Sequence, residues 1–345
     1  MQQLPISYKL PIDKLSACFN NTTATYKYYW LFSIIEQLEL GKKDIPKIDL
    51  FAGMVANSWY TINYFKVSFG KYDLLQQKVE FISHSEQISI NAEKSFILNS
   101  LINSSNIETI RALMHFDKNV PYRFLSPWFP NKSEKEVYQY SSDSNINALY
   151  TLKKDSISIN DKWLRYLIDN AHLIKSFCLW SLTLFLQSRN PSVPDIANKL
   201  IKPAKRNSLN SQKVHFWDLV IEDLEVVKCI YVNKSLQRGQ YDCEHFIPYS
   251  FVAHDLIWNL IPADKSFNSS KSNKLPNLEK YFVPFYNLHK SAVEVMKMKH
   301  PNSKYLEEYL TIFPDLDFSF SLDNFRNKLQ PLVTIAANNG FEYMS

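Results

Sequence analysis

Five glycines in 345 residues are the tightest constraint on this chain. Gly41, Gly53, Gly70, Gly239 and Gly340 lie too far apart to build a phosphate-binding loop or a dinucleotide fingerprint, which argues against nucleotide-driven chemistry of either kind. So few residues that pass freely through left-handed backbone also argue against a sandwich or barrel of many hairpins, and for a mostly helical protein. With 46% hydrophobic and 14% aromatic residues the chain has ample material for cores and length for two or three domains. A net charge of only +5 confines any nucleic-acid surface to a local patch.

Apolar residues recur at helical spacing through much of the chain. Trp30, Ile34 and Leu38 predict a helix over 25–40, and Phe51, Val55, Trp59 and Ile62 another over 48–65, whose aromatics read as core rather than as a base-stacking platform. A polar stretch over 131–158 marks a boundary. The expected organisation is a helical N-terminal domain over 1–155, a helical connector over 156–225, a small α+β module over 226–280 and a C-terminal helical region over 281–345. Lys202, Lys205 and Arg206 form a basic cluster ahead of the module, which reads as a solvated loop or as a phosphate contact.

The four cysteines include no C-x-x-C pair, so no disulfide framework is indicated. The first ten residues, MQQLPISYKL, lack a basic start followed by an apolar run, and the most apolar segment, around FCLWSLTLFL, is too short to span a membrane. A cytoplasmic location is expected, with no membrane contact.

The chemistry concentrates between Asp242 and Pro276. Phosphodiester cleavage needs a base to deprotonate water and a cation to hold the phosphate and its leaving oxygen. His245 suits the first task near neutral pH. Glu244 and Asn268 offer the oxygen ligands that a hard cation such as magnesium takes, while it keeps waters for substrate to displace. Asp264 is the expected N-cap of a helix carrying Asn268 and Lys271, three apart on one face, with Lys265 and Lys271 as phosphate contacts. A hairpin is expected, its first strand over Lys228–Tyr231, its turn over Asn233–Gly239 and its second strand ending at Cys243–His245, with NLIP a further short extended piece. On a regular strand Glu244 and His245 point to opposite faces, so either the backbone departs from regularity there or the metal sits at the strand edge. Asn259 is cast as a brace for the loop between them, not as a ligand.

The run EHFIPYSF, Asp255, IWNLIP and KSFNSSKSNKLP resembles the HNH motif of the ββα-metal endonucleases, in particular the version in the HNH domain of RNA-guided CRISPR effectors. The resemblance implies a ββα-metal fold, His245 as general base, Glu244 and Asn268 as ligands of magnesium or another divalent cation such as manganese, and Asn259 as loop support. It also implies 5′-phosphate and 3′-hydroxyl ends. The family commonly has aspartate or histidine at the position of Glu244. Many members brace the motif with paired cysteines around zinc, but Val232 and Phe267 stand where partners of Cys229 would, so packing is expected instead of a structural zinc. The flanks look similar to bacterial stand-alone HNH proteins of unassigned role, and nothing in them resembles a guide-RNA channel. Of the eight histidines, only His245 sits in such a constellation, and His254 is its one rival within the loop. The expected function is a metal-dependent endonuclease on DNA, with RNA left open, in restriction or anti-phage defence with a regulatory or targeting protein partner. The alternative is a catalytically degenerate HNH fold that binds nucleic acid or acts as a scaffold.

Overall fold

The computed structural model describes residues 4–20 and 22–344. Residues 1–3, on which part of the leader argument rests, lie outside them. The fold is mainly helical with small antiparallel sheets, and the chain divides into two compact units. The first comprises Met1–Pro191 with Ile196–Ala204, the second Ser192–Asp195 with Lys205–Ser345. Among the described residues no helix is long and apolar enough to cross a membrane.

The first unit is built on helices α1 (Tyr26–Glu39) and α2 (Lys47–Asn63). Trp30, Ile34 and Leu38 of α1 are all buried, as are Phe51, Val55, Trp59 and Ile62 of α2, so the period read from the sequence is the packing face. The two helices approach closely at Gly53, where a Cβ would lie 2.7 Å from the Ser33 hydroxyl oxygen. Strands β1 (Asp44–Pro46), β2 (Tyr150–Leu152) and β3 (Ser156–Ile159) form a sheet of order β1-β3-β2, with Ile157 opposite both Ile45 and Leu152. Position 155 therefore falls in the turn between β2 and β3, inside the first unit. Alternation in Ser156–Ile159 buries Ile157 and Ile159, which anchors a stretch whose polar composition reads as linker. A further helix, Leu74–Ser85, is capped by buried Asp73, which accepts from Leu75 N at 3.0 Å and from Thr25 N at 2.6 Å.

The second unit holds the strands β4 (Val227–Lys228) and β5 (Ser235–Leu236), then β6 (Asp242–His245), β7 (Leu260–Ala263), and helices α3 (Lys265–Lys271), α4 (Leu278–Lys299) and α5 (Leu322–Asn338). Its core is aromatic. Phe246, from the loop after β6, stacks on Phe285 of α4 at 3.9 Å between ring centres, and Phe285 meets Phe325 of α5 at 5.5 Å. Tyr231 stacks on Phe267 at 4.4 Å and meets Tyr281 edge-on at 5.0 Å, and the Trp258 indole donates to Thr311 Oγ1 at 3.1 Å. These contacts tie the strands and α3 together by packing. Cys229 is buried and accepts a weak bond from Asp264 N.

His289 of α4 lies fully within this core, its Nδ1 paired with the Tyr309 hydroxyl at 2.6 Å, and burial holds its imidazole down at about 3. In the unfolded chain the same group titrates near 6.5. Below that pH the unfolded state takes up a proton that the folded state refuses until about pH 3, so this group removes up to about 1.4 kcal/mol of stability per pH unit across the window. Calorimetric melting of the second unit should therefore fall between pH 7 and 5, and less steeply in His289→Phe. Equal slopes in the two proteins would locate the acid sensitivity elsewhere.

Candidate active site

Strand β6 is regular to its end. It pairs antiparallel with β7 in the register Asp242↔Ala263, Cys243↔Pro262, Glu244↔Ile261 and His245↔Leu260. This corrects the pairing expected from the sequence, because the segment at Lys228 pairs with Ser235–Leu236 and the hairpin is formed by β6 and β7. The residues between them form the wrapped loop. Asn259 closes that loop: its Oδ1 accepts from Ile247 N at 2.9 Å, its Nδ2 donates to Ile247 O at 2.8 Å, and its own carbonyl accepts from Phe246 N at 2.8 Å. The side chain is buried, with both of its amide atoms bonded to Ile247.

Regular alternation sends neighbours to opposite faces. Asp242 and Glu244 face α3, which Asp264 caps by accepting from Ser266 N at 3.0 Å and Phe267 N at 3.2 Å. On that helix Asn268 and Lys271 share one face, so they meet the two acidic residues in register. Asn268 Nδ2 lies 3.3 Å from Asp242 Oδ2, and the Lys271 ammonium pairs with Glu244 Oε1. Lys271 also donates to the His245 carbonyl at 2.8 Å, and the Tyr231 hydroxyl donates to Glu244 Oε2 at 2.8 Å. Side-chain exposure is 0% for Lys271 and 3% for Glu244. Burial pulls the Lys271 amine below its usual range, with Glu244 opposing that shift, and burial followed by the Glu244 charge pushes the Tyr231 hydroxyl well up. Lys271 is thus turned inward, whereas Lys265 on the first turn of α3 is exposed.

His245 points the other way. Its Nε2 lies 3.0 Å from Asp255 Oδ1, its ring meets Tyr249 at 5.4 Å, and its Nδ1 is buried with no hydrogen-bond partner. A carboxylate on Nε2 fixes the tautomer that leaves Nδ1 as the acceptor. Asn207 Nδ2 reaches Asp255 Oδ2 at 3.4 Å, and Arg206 donates to Asn273 Oδ1 at 2.8 Å just beyond α3, which places part of the basic cluster beside the site. The rival His254 packs against Trp258 with the rings tilted and their centres 5.0 Å apart, and its Nδ1 accepts from Leu256 N at 3.4 Å.

The structure therefore brings Asn268 and Lys271 onto β6 but separates Glu244 from His245. It adds two residues the sequence reading did not assign: Asp255 as the partner of His245, and Asp242 as the partner of Asn268. Strand alternation from Glu244 points to Asp242, while Asp255 depends on the path of the loop. Among the described residues no group of three histidine, cysteine or acidic side chains is arranged to hold a metal.

A family model for HNH endonucleases matches residues 229–277. No curated protein and no solved structure matches the chain. The matched span runs from Cys229, past the β6–β7 hairpin and α3, to the cap of α4, and contains His245, Asp255, Asn259 and Asn268. The second unit of this chain carries an HNH endonuclease domain.

Proposed function

We propose that the protein is a divalent-metal-dependent endonuclease that hydrolyses phosphodiester bonds in DNA, with His245 as its general base. The observation that carries this reading is the state of His245: an oriented, buried imidazole with one nitrogen on a carboxylate and the other unpartnered. An unmet polar atom in the interior costs about 1–3 kcal/mol, a penalty that persists where a substrate or its attacking water completes the site. In the proposed reaction Nδ1 takes the proton of that water. The Asp255 carboxylate holds the ring and stabilises the imidazolium that forms. Asn259 keeps the loop, and with it the ring, from moving.

HNH endonucleases generally use a divalent cation, which when bound neutralises charge on the phosphate and leaving oxygen. The side chains present fit such an ion at Asn268, a half-buried amide with a carboxylate oxygen 3.3 Å away. Exposed Lys265 on the first turn of α3, and Arg206, which donates to Asn273 just beyond it, supply positive charge near that face, which suits a phosphate backbone. A defence setting, with a protein partner or the helical first unit restraining or aiming the cut, follows from the need to license a nuclease inside its own host.

Purified protein with magnesium or manganese should nick supercoiled plasmid and stop on chelation. Asp255→Asn should lower kcat about 10- to 100-fold while leaving KM for plasmid within about threefold, because the residue acts through His245 and not on DNA. An unchanged kcat would remove Asp255 from the mechanism. A second reading, a degenerate fold that binds without cutting, is favoured by the engagement of Glu244 with Lys271 and by the 2% side-chain exposure of His245. It predicts salt-sensitive DNA binding with no cleavage under any divalent ion.

A further inference from the structure

We propose that a polar pocket at the amino end of α1, in the first unit, binds the phosphate group of a small phosphorylated ligand of about nucleotide size. The inference does not rest on the nuclease reading, because every residue it uses belongs to the first unit.

The argument begins with charge. The pocket has a volume of about 460 Å³, inside the range of about 300–1,000 Å³ usual for small-molecule sites. Lys27, on the first turn of α1, and Arg123, on the short helix Val120–Phe124, both line it, and among the described residues no acidic side chain does. Three other shielded lysines of this unit have carboxylate partners: Lys47 pairs with Asp117, Lys94 with Glu36 and Lys175 with Glu39. Lys27 has the Cys18 carbonyl instead, 3.0 Å from its Nζ. Burial pulls its amine below the usual range, with Cys18 opposing that shift and the Arg123 charge adding to it. The nearby carboxylate of Asp73 is buried and is spent on two backbone amides, Thr25 N at 2.6 Å and Leu75 N at 3.0 Å. Two cations therefore share the pocket with no counter-ion on its wall. An anion placed between them removes their repulsion.

The donor set selects the anion. Arg123 is held through its Nε, which donates to the Tyr122 hydroxyl at 3.0 Å, and by the Tyr122 ring 5.6 Å away. Its two terminal nitrogens are left to grip an oxyanion at two points. The hydroxyls of Thr23 and Ser126 and the amide of Asn119 add neutral donors to the same wall. A phosphate monoester brings three acceptor oxygens and close to two negative charges, which this set can meet, whereas a carboxylate brings two oxygens and one charge. Tyr72 also lines the pocket and is 85% exposed, so its ring offers a face on which the body of a ligand can stack. That ring and the volume favour a nucleotide over free phosphate.

The test is calorimetric titration of the full chain, without divalent ions, with adenosine monophosphate, adenosine and inorganic phosphate. The monophosphate should bind saturably with a Kd below about 1 mM, and adenosine should not bind at the same concentrations. Arg123→Gln and Lys27→Met should each weaken the monophosphate at least tenfold, and Tyr72→Ala should weaken it by a larger factor than it weakens inorganic phosphate. His245→Ala should bind it as the parent does. The proposal is overturned by a parent that binds neither the monophosphate nor phosphate, by equal binding of adenosine, by unchanged binding in Arg123→Gln, or by a loss in His245→Ala, which would place the ligand in the second unit. It is overturned equally if a single-stranded oligonucleotide loses affinity in Arg123→Gln while the parent ignores the monophosphate, since the pocket is then a contact for a nucleic-acid backbone. Circular dichroism checks each fold, and Arg123→Gln, at an exposed position, decides the matter even where Lys27→Met does not fold.

Discussion

His245→Ala is expected to reduce plasmid nicking by about 10²- to 10⁴-fold, the usual contribution of a positioned general base. The substitution also removes a buried ring. His245 has 2% side-chain exposure, packs on Tyr249, and pairs with Asp255 Oδ1 at 3.0 Å, so alanine leaves a gap and removes that bond. A loss of about 1–3 kcal/mol of stability should accompany the loss of rate. Cleavage is therefore to be compared well below both melting temperatures. His254→Ala is the control within the same loop and should retain cleavage within a few fold, because His254 packs on Trp258 while Asp255 Oδ1 holds the ring of His245. Equal cleavage by His245→Ala and the parent would move the base to another residue and end the present assignment.

What could be read from the sequence was set by how local each signal is. Trp30, Ile34 and Leu38 declare a helix face within a single segment, and all three are buried. Asp264 declares a cap within three residues, and it accepts from the amides of Ser266 and Phe267. Asn259 is read as a brace from its place in the motif, and its side chain bonds both backbone groups of Ile247. Strand partners are a different matter. Lys228–Tyr231 is β-branched and aromatic enough for a strand, yet the ladder stops at Lys228 and Tyr231 instead stacks on Phe267 and donates to Glu244. Tertiary contacts outweighed propensity there. The sheet formed by Asp44–Pro46, Tyr150–Leu152 and Ser156–Ile159 joins segments about a hundred residues apart, and strands of three or four residues carry too little alternation to reveal it. The same limit hid the site's inner arrangement. Adjacent in sequence, Glu244 and His245 are read as one group, but on a regular strand they belong to different faces, and their working partners come from a helix and from a loop.

The buried pair formed by Lys271 and Glu244 makes the strongest prediction about stability. Lys271→Met removes the ammonium and leaves the Glu244 carboxylate, 3% exposed, with the Tyr231 hydroxyl as its remaining partner among the contacts described above. Breaking one side of such a pair costs about 3–5 kcal/mol, because a charge stays behind without its counter-ion. Glu244→Gln strands the ammonium and should cost a similar amount. The double variant removes both charges and keeps similar shapes, so it should be less destabilised than the sum of the singles by several kcal/mol. Urea denaturation combined with hydrogen exchange over residues 229–277 reads the effect in the domain that holds the pair. A cost below about 1 kcal/mol for Lys271→Met would mean the carboxylate is easily rehydrated, as an exposed pair would be. Glu244 would then be free to turn toward a cation. A large cost with strong coupling means instead that Glu244 and Lys271 act as one neutral structural unit, fastening α3 to β6 and holding Asn268 beside Asp242.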